Sequence, residues 1–267
     1  MEIETIYTSS KPRIAADCRG TGETVLFLHG IGGHRTNWHE QLTAFAADYH
    51  AVAWDARGYG LSDSYDGDLD FADFSADLER LLDHLNADKV HLVGLSMGGR
   101  IAVHFYFRCP DRVASLTLAD THTGFSALSP AQRQEYIDSR LAPLKAGKSV
   151  ADIAPNIADK LLSAHATPEM RARLEASIGS LRKDCYMKSL AATVEQDSVG
   201  DYGAITVPTH VMVGENDTLT TPAICRDLAD QVPNAAYSII PRAGHLSNIE
   251  NPAAFNATAL AFIDALK

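Results

Sequence analysis

Several features of secreted, metal-binding and membrane proteins are missing from this sequence of 267 residues. The four cysteines, Cys18, Cys109, Cys185 and Cys225, lie far apart and form no C-x-x-C pair, which predicts reduced thiols instead of a zinc or dithiol motif. No uncharged apolar run approaches the roughly 18 residues that span a bilayer. The N-terminal stretch alternates polar and apolar residues and has no apolar core of a secretory signal. We therefore expect a cytoplasmic protein with no membrane partner.

Basic residues are also in the minority. The chain carries 23 Lys and Arg against 34 Asp and Glu, a formal net charge of −11 that keeps it soluble and repels polyanions. Nucleic acid is therefore excluded as a partner. The remaining composition, 46% apolar and 21% charged, is that of an ordinary globular protein, and the length fits one α/β core with an insertion. The oligomeric state stays open.

Short apolar segments alternate with longer amphipathic stretches from residue 24 onward, a pattern typical of a parallel sheet with helices on both faces. We expect an antiparallel pair of strands within residues 2–18 and a mostly parallel sheet of eight strands. The predicted buried strands are residues 25–29, 51–54, 90–94, 114–119, 209–213 and 236–240. The predicted core helices are residues 37–47, 71–86, 97–108, 222–231 and 252–266.

One connection is much longer than the sheet requires. About 88 residues separate the strand that ends near residue 120 from the strand that starts at 209, and they contain helical patterns but no convincing strand. A crossover between parallel strands needs only about a dozen residues. We therefore predict an α/β core of residues 1–121 and 201–267 with a helical cap inserted at 122–200.

The charge of the predicted cap differs from that of the core. Residues 122–200 carry ten basic and nine acidic residues, whereas the rest of the chain has a net charge of −12. Two interpretations are open: an anionic substrate beneath the cap, or solvated helix faces. The second is the simpler.

The strongest chemical signal is the motif Gly-Leu-Ser-Met-Gly-Gly at residues 94–99, which follows an apolar strand and precedes a helix. A serine hydroxyl is a weak nucleophile unless a base lies beside it, and a sharp strand-to-helix turn presents its oxygen above the sheet edge. Glycines flank Ser96 because such a turn has little room for side chains and requires strained backbone angles. Ser96 is therefore the candidate nucleophile.

Two further residues are predicted to lie at the same edge of the sheet. Asp217 comes just after the strand at 209–213, and His245 comes just after the last strand. The chain order serine, aspartate, histidine is the one expected with this motif. The imidazole takes the hydroxyl proton and later gives it to the leaving group, while the carboxylate fixes the tautomer. Asp120, which ends the preceding strand, is a rival acid that we interpret as a capping or loop carboxylate.

A glycine-rich loop follows another apolar strand and can direct backbone amides into the site. A tetrahedral oxyanion needs two donors, and the expected pair is the N–H groups of Ile31 and Met97. We expect Gly30 and Trp38 to line the substrate pocket, although Trp38 also fits a core position. His29 is interpreted as a structural residue that hydrogen-bonds the loop.

Cofactor motifs are not present around this loop. It matches neither G-x-G-x-x-G nor a phosphate-binding loop with a lysine, and the chain has no H-E-x-x-H pattern. His29, His34 and His39 recur every five residues, which spreads them around a helix. We therefore expect no cofactor and no metal.

Four segments together resemble the α/β-hydrolase superfamily. They are the His-Gly-Ile-Gly-Gly loop, the turn at residues 55–63, the Ser96 motif and the Ala-Gly-His sequence that ends at His245. We interpret the turn at 55–63 as a hydrogen-bonded structural loop. The resemblance covers essentially the whole chain outside the cap. Residues 94–120 are similar to the 3-oxoadipate enol-lactonases and related carboxylesterases, which implies the α/β-hydrolase fold, a four-helix cap, no cofactor and a small ester or lactone as substrate.

The resemblance leaves other functions open. The meta-cleavage-product hydrolases break a carbon–carbon bond with the same triad, but they usually have Asn where Leu95 stands here. Haloalkane dehalogenases and epoxide hydrolases require Asp at the position of Ser96, which argues against them. A ligand-binding module with weak hydrolysis is the remaining alternative, because a fold does not by itself imply a function. The expected function is a serine hydrolase that forms an acyl-enzyme.

Overall fold

The computed structural model of the chain describes residues 2–196 and 199–267. Its strands are β1 (Glu4–Tyr7), β2 (Ala15–Arg19), β3 (Thr24–Leu28), β4 (His50–Trp54), β5 (Val90–Leu95), β6 (Val113–Ala119), β7 (Thr209–Gly214) and β8 (Ala236–Ile240). They form one sheet in the order β1-β2-β4-β3-β5-β6-β7-β8. β2 pairs antiparallel with β1 and β4, and all the other pairs are parallel. The predicted eight-stranded, mostly parallel sheet is confirmed.

The helices alternate with the strands as expected for this fold. They are α1 (His39–Phe45), α2 (Phe71–His84), α3 (Met97–Arg108), α4 (Pro130–Lys145), α5 (Val150–Leu161), α6 (Pro168–Gly179), α7 (Lys183–Glu195), α8 (Pro222–Gln231), α9 (Ser247–Glu250) and α10 (Pro252–Asp264). The helix predicted at residues 37–47 is shorter than expected, because a 3-10 turn at Arg35–Trp38 precedes α1. Within the described residues, no helix combines the length and apolarity needed to cross a membrane.

The central strands are buried on both faces and alternate their side chains between two cores. In β3, Val25 and Phe27 pack in the core that includes residues of α1 and α10. Leu26 and Leu28 point to the opposite core, which includes residues of α2, α3 and α8. Successive side chains of a strand face opposite sides of the sheet, so one short apolar segment supplies both layers.

Helices α4 to α7 lie in the connection between β6 and β7, which is the region predicted as a cap. Ser177 Oγ in α6 donates to Gly32 O at 3.3 Å, and Arg182 Nη1 donates to Ser62 O at 3.0 Å. These bonds attach the inserted helices to loops that follow β3 and β4. The predicted cap boundaries at residues 122 and 200 stay a prediction, and Asp197 and Ser198 within them lie outside the described residues.

The turn after β4 is organised around Asp55, whose side chain is fully buried. Its carboxylate accepts hydrogen bonds from the backbone and guanidinium of Arg35, at 2.8 and 2.7 Å, and from the backbone N–H of Leu61 at 2.8 Å. Ser62 Oγ donates to the backbone carbonyl of Asp55 at 2.6 Å. These contacts match the interpretation of residues 55–63 as a hydrogen-bonded loop.

We expect Asp55→Ala to lower the free energy of unfolding by about 3–5 kcal/mol, because it leaves the backbone N–H groups of Arg35 and Leu61 without their acceptor and removes one of the two carboxylates that pair with the Arg35 guanidinium. The matched control is Asp63→Ala in the same turn, since Asp63 pairs with Arg13 on the surface and the pair is about half exposed on the arginine side. The control should cost less than about 1 kcal/mol. Urea denaturation followed by circular dichroism measures both losses, and equal losses would contradict the central role of Asp55.

Candidate active site

Five loops that carry the candidate residues meet at one edge of the sheet. Ser96 follows β5, Asp120 follows β6, Asp217 follows β7, His245 follows β8, and the loop at 30–33 follows β3. These strands are parallel neighbours, so their carboxyl ends lie at the same edge. The topology therefore brings together residues that are more than two hundred positions apart in the sequence.

Ser96 lies at a tight turn between β5 and α3. Its φ of 54° and ψ of −118° are values that non-glycine residues rarely adopt. Its N–H donates to Ala119 O at 2.9 Å, and Thr121 Oγ1 donates to Ser96 O at 2.7 Å. Glycine is required at position 98, because a Cβ there would lie 2.1 Å from Leu28 O. The Ser96 hydroxyl is partly exposed and has no hydrogen bond within residues 2–196 and 199–267.

The loop at residues 30–33 approaches Ser96 closely. A Cβ on Gly30 would lie 3.0 Å from Ser96 Cβ, so only glycine allows this approach without a shift. In the described part of the chain, no acceptor is found for the backbone N–H of Ile31 or of Met97. Two unpaired amides thus belong to the two segments that flank the serine side chain.

His29 forms hydrogen bonds on both sides of its ring, one of them to the glycine loop. Its Nδ1 donates to Gly30 O at 2.9 Å, and its Nε2 accepts the N–H of Ala56 at 3.1 Å. Burial lowers the pKa of His29 to about 4, which keeps the ring neutral with one donor and one acceptor. The structure thus gives His29 the hydrogen bonds of a structural residue.

His245 and Asp217 form the central hydrogen bond of the site. His245 Nδ1 lies 2.8 Å from Asp217 Oδ2, and both side chains are buried. Thr220 Oγ1 donates to the same carboxylate oxygen at 2.6 Å, while the N–H groups of Leu219 and Thr220 donate to Oδ1 at 2.7 and 3.1 Å. Four donors thus fix the carboxylate, and the carboxylate fixes which nitrogen of the imidazole carries the proton.

The protonation of this pair follows from burial and partner charge. Burial by itself lowers the pKa of His245, but the hydrogen bond and charge of Asp217, with the charges of Asp120 and Glu250, outweigh it and leave the pKa raised. For Asp217, burial raises the pKa, but the bonds and charge of His245 and the bonds from Thr220 and Leu219 outweigh it and leave the pKa lowered. An ionised Asp217 is therefore prepared to stabilise a protonated imidazole.

Asp120, the rival acid, is fully buried and has different partners. Gly214 N–H donates to its Oδ1 at 2.7 Å, and Ser247 Oγ donates to its Oδ2. Burial raises its pKa to about 7, although the charge of His245 and these two hydrogen bonds act in the opposite direction. The imidazole therefore pairs with Asp217, and Asp120 remains nearby as a second carboxyl group.

Some contacts of the site have no signal in the sequence. The backbone N–H of His245 donates to Leu161 O, at the end of α5, at 3.0 Å. Glu250 is buried and accepts from Ser163 N–H at 3.0 Å, from Ser163 Oγ at 2.6 Å and from Gly244 N–H at 2.9 Å. These bonds connect the inserted helices to the histidine loop, and only coordinates reveal them.

Trp38 and Gly30 line one cavity, whose wall includes the glycine loop and the chain neighbours Leu95 and Leu246 but neither Ser96 nor His245. Trp38 is 1% exposed, and its ring lies 5.1 Å from that of Phe27 and 6.0 Å from that of Phe255. The tryptophan therefore occupies the core position that its sequence context also allowed.

The histidines near the loop bind separate partners. His34 Nδ1 lies 2.9 Å from Thr36 Oγ1, and His39 Nε2 lies 2.8 Å from Asp17 Oδ2. Among the residues that the structure describes, no three His, Cys, Asp or Glu side chains form a group that fits a metal ion.

Comparisons with known proteins agree on the family but not on a substrate. A family profile described as the alpha/beta hydrolase fold matches residues 23–252. A 2-hydroxy-6-oxononadienedioate/2-hydroxy-6-oxononatrienedioate hydrolase from Cupriavidus pinatubonensis is 32% identical over 92% of this chain and 89% of its own. The 3-oxoadipate enol-lactonase 2 of Acinetobacter baylyi is 26% identical over 87% of this chain and 85% of its own.

A solved structure of another protein also has the architecture of this chain. A thermophilic esterase from Thermogutta terrifontis superposes with a TM-score of 0.88 at 26% identity, covering 100% of this chain and 99% of its own. Relatives of similar identity carry the names carbamate hydrolase and non-heme bromoperoxidase. The relatives therefore differ in activity while sharing one architecture.

Asp217→Asn should reduce ester hydrolysis by about 10³–10⁴-fold, because the amide holds the imidazole in the wrong tautomer without altering the packing. The matched change Asp120→Asn should cost only roughly tenfold, since Asp120 does not contact the ring. Steady-state kinetics on p-nitrophenyl acetate measures both variants. The reverse ranking would move the acid to the end of β6.

The pH profile of kcat/KM should have an acid limb whose midpoint lies above 6.5, the ordinary value for histidine. The base must be neutral to accept a proton, and a raised pKa means that His245 becomes protonated, and activity falls, before the pH has dropped to 6.5. Initial rates between about pH 5 and pH 9 measure the limb. A midpoint below 6.5 would show that burial, and not Asp217, controls the ring.

Proposed function

This chain belongs to the α/β-hydrolase family, and from that premise we propose that it is a serine hydrolase that cleaves a small carboxylic ester or lactone through an acyl-enzyme. The observation that carries the proposal is the 2.8 Å hydrogen bond between His245 Nδ1 and Asp217 Oδ2, at the sheet edge that also bears Ser96.

In the first half of the reaction, Ser96 Oγ attacks the substrate carbonyl while its proton passes to His245 Nε2. In the described part of the chain that nitrogen makes no hydrogen bond, and both hydrogen-bonding contacts of the ring involve Nδ1. The tetrahedral intermediate collapses, the bond to the leaving-group oxygen breaks, and His245 returns the proton to that oxygen. Asp217 offsets the positive charge that the imidazole carries between these steps.

In the second half, water repeats the sequence on the acyl-enzyme. His245 removes a proton from water, the hydroxide attacks the ester carbonyl, and Ser96 leaves with the proton returned by His245. The product is a carboxylic acid, and the side chains regain their starting state. A lactone follows the same path, with the alcohol and the acid remaining in one molecule.

The backbone N–H groups of Ile31 and Met97 are the proposed oxyanion donors. Their lack of acceptors among the described residues and the close approach of Gly30 to Ser96 support this role. Removal of one such donor typically costs about 10²–10³-fold in kcat, so the glycine loop contributes to the rate nearly as much as the triad does.

We propose residues 122–200 as the cap over this site. The bonds of Ser177 to Gly32 and of Leu161 to His245 support the assignment, because they join the inserted helices to the loops on two sides of Ser96. Several basic residues of the cap have acidic partners; these pairs are Arg171–Asp159, Arg173–Glu40 and Lys145–Asp138. Such pairs support solvated helix faces, so the proposed substrate is defined by its ester or lactone group and not by its charge.

A second function is favoured by one comparison. The 32% identical relative is named as a hydrolase of 2-hydroxy-6-oxononadienedioate and 2-hydroxy-6-oxononatrienedioate. Such compounds are vinylogous 1,5-diketones, and we consider cleavage of a carbon–carbon bond in a substrate of this type as the second candidate function. The same three side chains serve that reaction class if His245 removes a proton from water and the hydroxide adds to the ketone carbonyl. The carbon–carbon bond then breaks, one fragment is released as a carboxylic acid, and the other fragment takes up the proton from His245. Leu95 stands where that class usually has Asn, which supports the ester or lactone assignment.

Ser96→Ala should abolish p-nitrophenyl acetate hydrolysis, a loss of at least about 10³-fold, and should prevent labelling by a fluorophosphonate probe. The fold should be retained, because alanine removes only a partly exposed hydroxyl. Ser139→Ala is the matched control, since Ser139 is an exposed serine of α4. Turnover or labelling that survives in Ser96→Ala would remove Ser96 from the mechanism.

The same assay on a panel of simple esters, lactones and a vinylogous 1,5-diketone separates the candidate functions. The proposal expects the highest kcat/KM on an ester or lactone. A higher value on the diketone would replace it with carbon–carbon bond hydrolysis. A chain that neither turns over any of them nor reacts with the probe would be a binding module.

A further inference from the structure

One short segment, Ala119 to Thr121, contacts all three loops of the proposed triad. Ala119 O accepts the N–H of Ser96 at 2.9 Å, and Thr121 Oγ1 donates to the carbonyl of Ser96 at 2.7 Å. The backbone of Asp120, between them, donates to Met212 O of β7 at 2.9 Å. The serine turn and the strand that leads to Asp217 are therefore both attached to this segment.

The side chain of Asp120 makes the remaining connections. Its Oδ1 accepts Gly214 N–H at 2.7 Å, three residues before Asp217, and its Oδ2 accepts the hydroxyl of Ser247, two residues after His245. Asp120 is fully buried and has a φ of 47°, which is uncommon for a residue other than glycine. A buried carboxyl in such a backbone conformation remains only where its surroundings require it.

We propose that Asp120 is a positioning residue, which fixes the Asp217 loop relative to the His245 loop and, when it is ionised, presents a second negative charge to the imidazole. This inference rests on the proposed function and extends it. Asp120 does not touch the ring and acts through Gly214 and Ser247, so it is not itself an acid of the triad.

Burial raises the pKa of Asp120 to about 7, so its negative charge is present mainly above that pH. There it favours the positive imidazole that forms during each half-reaction. His245 is favoured in its protonated form by the charge of Asp120 as well as by Asp217. The titratable groups that face Asp120 or His245 from the surrounding elements are Asp217, Glu250, His122 and Cys225, together with Asp120 and His245 themselves. Removing one anion from this set weakens the stabilisation of the imidazolium and lowers the pKa of His245.

Two variants separate the effect of the Asp120 charge from the effect of its hydrogen bond to Ser247, which we call the tether. Asp120→Asn keeps an oxygen for Gly214 N–H and places an amide group against the Ser247 hydroxyl, so it removes the charge with little change in shape. Ser247→Ala removes the tether to the histidine loop but keeps the carboxyl. The matched control is Asp77→Asn, which neutralises another fully buried aspartate that pairs with Arg57 away from the site.

The variants are compared in the full chain by three measurements: kcat and KM on p-nitrophenyl acetate, the pH profile, and the titration of the His245 imidazole by 15N NMR. Asp120→Asn should lower kcat roughly tenfold with KM within about twofold, and should move the acid limb to lower pH. Ser247→Ala should lower kcat by a few-fold, with an acid limb between those of the wild type and Asp120→Asn. Asp77→Asn should leave kcat and the limb at their wild-type values.

Several results would overturn the inference. An Asp120→Asn chain with wild-type kcat and wild-type His245 titration would exclude both the charge and the tether. If Asp120→Asn does not fold, Ser247→Ala decides, and unchanged kcat and titration in that variant would reject the tether. A fall in kcat that is equalled in Asp77→Asn would assign the effect to stability alone.

The NMR titration keeps this inference separate from the proposed function, because it requires no turnover. A wild-type chain that hydrolyses nothing would refute the serine hydrolase proposal, yet the titration of His245 would still report whether Asp120 acts on the ring. A wild-type chain that hydrolyses esters, with a His245 titration unaffected by Asp120→Asn, would refute only the positioning role.

Discussion

The hydrogen bond between His245 Nδ1 and Asp217 Oδ2 joins the loops that leave two neighbouring parallel strands, β7 and β8. It determines which ring nitrogen carries the proton and leaves the other available at the edge that bears Ser96. Burial alone would favour an uncharged ring, and the carboxylate reverses that preference. Under the proposed function, this contact supplies the oriented base that accepts the proton of Ser96 at its strained turn.

Much of this arrangement follows from local sequence signals. Each of the six predicted buried strands corresponds to an observed strand within one residue at either end, since short apolar segments bounded by turns are typical of parallel sheets. Once the sheet is parallel, its topology brings the loops after β5, β7 and β8 to one edge without any knowledge of side-chain contacts. Ser96, Asp217 and His245 are predictable for that reason, and the choice of Asp217 over Asp120 agrees with the observed pairing of the imidazole.

The remaining features depend on contacts between distant residues. α5 contains Pro155, which reads locally as a helix breaker, and α7 begins after Arg182 without a side-chain cap. α9 is a single turn, tethered by bonds of Ser247 to Asp120 and of Glu250 to Ser163, whose partners are 127 and 87 residues away. Such pairs have no periodicity or spacing in a single sequence, so neither these helices nor the partners of Asp120 could be predicted from it.

The carbonyl of Leu161 that receives the N–H of His245 belongs to the main chain. Any amino acid at that position supplies the same oxygen. The side chain at position 161 can therefore change without loss of the hydrogen bond to the histidine loop. Substitutions there alter the wall of the cavity that Leu161 shares with Gly30 and Trp38, while the loop of His245 keeps its hydrogen bond. A protein built in this way can change the side chains around its sheet edge by point mutation and still hold the histidine loop in place, because the bond that holds the loop comes from the backbone.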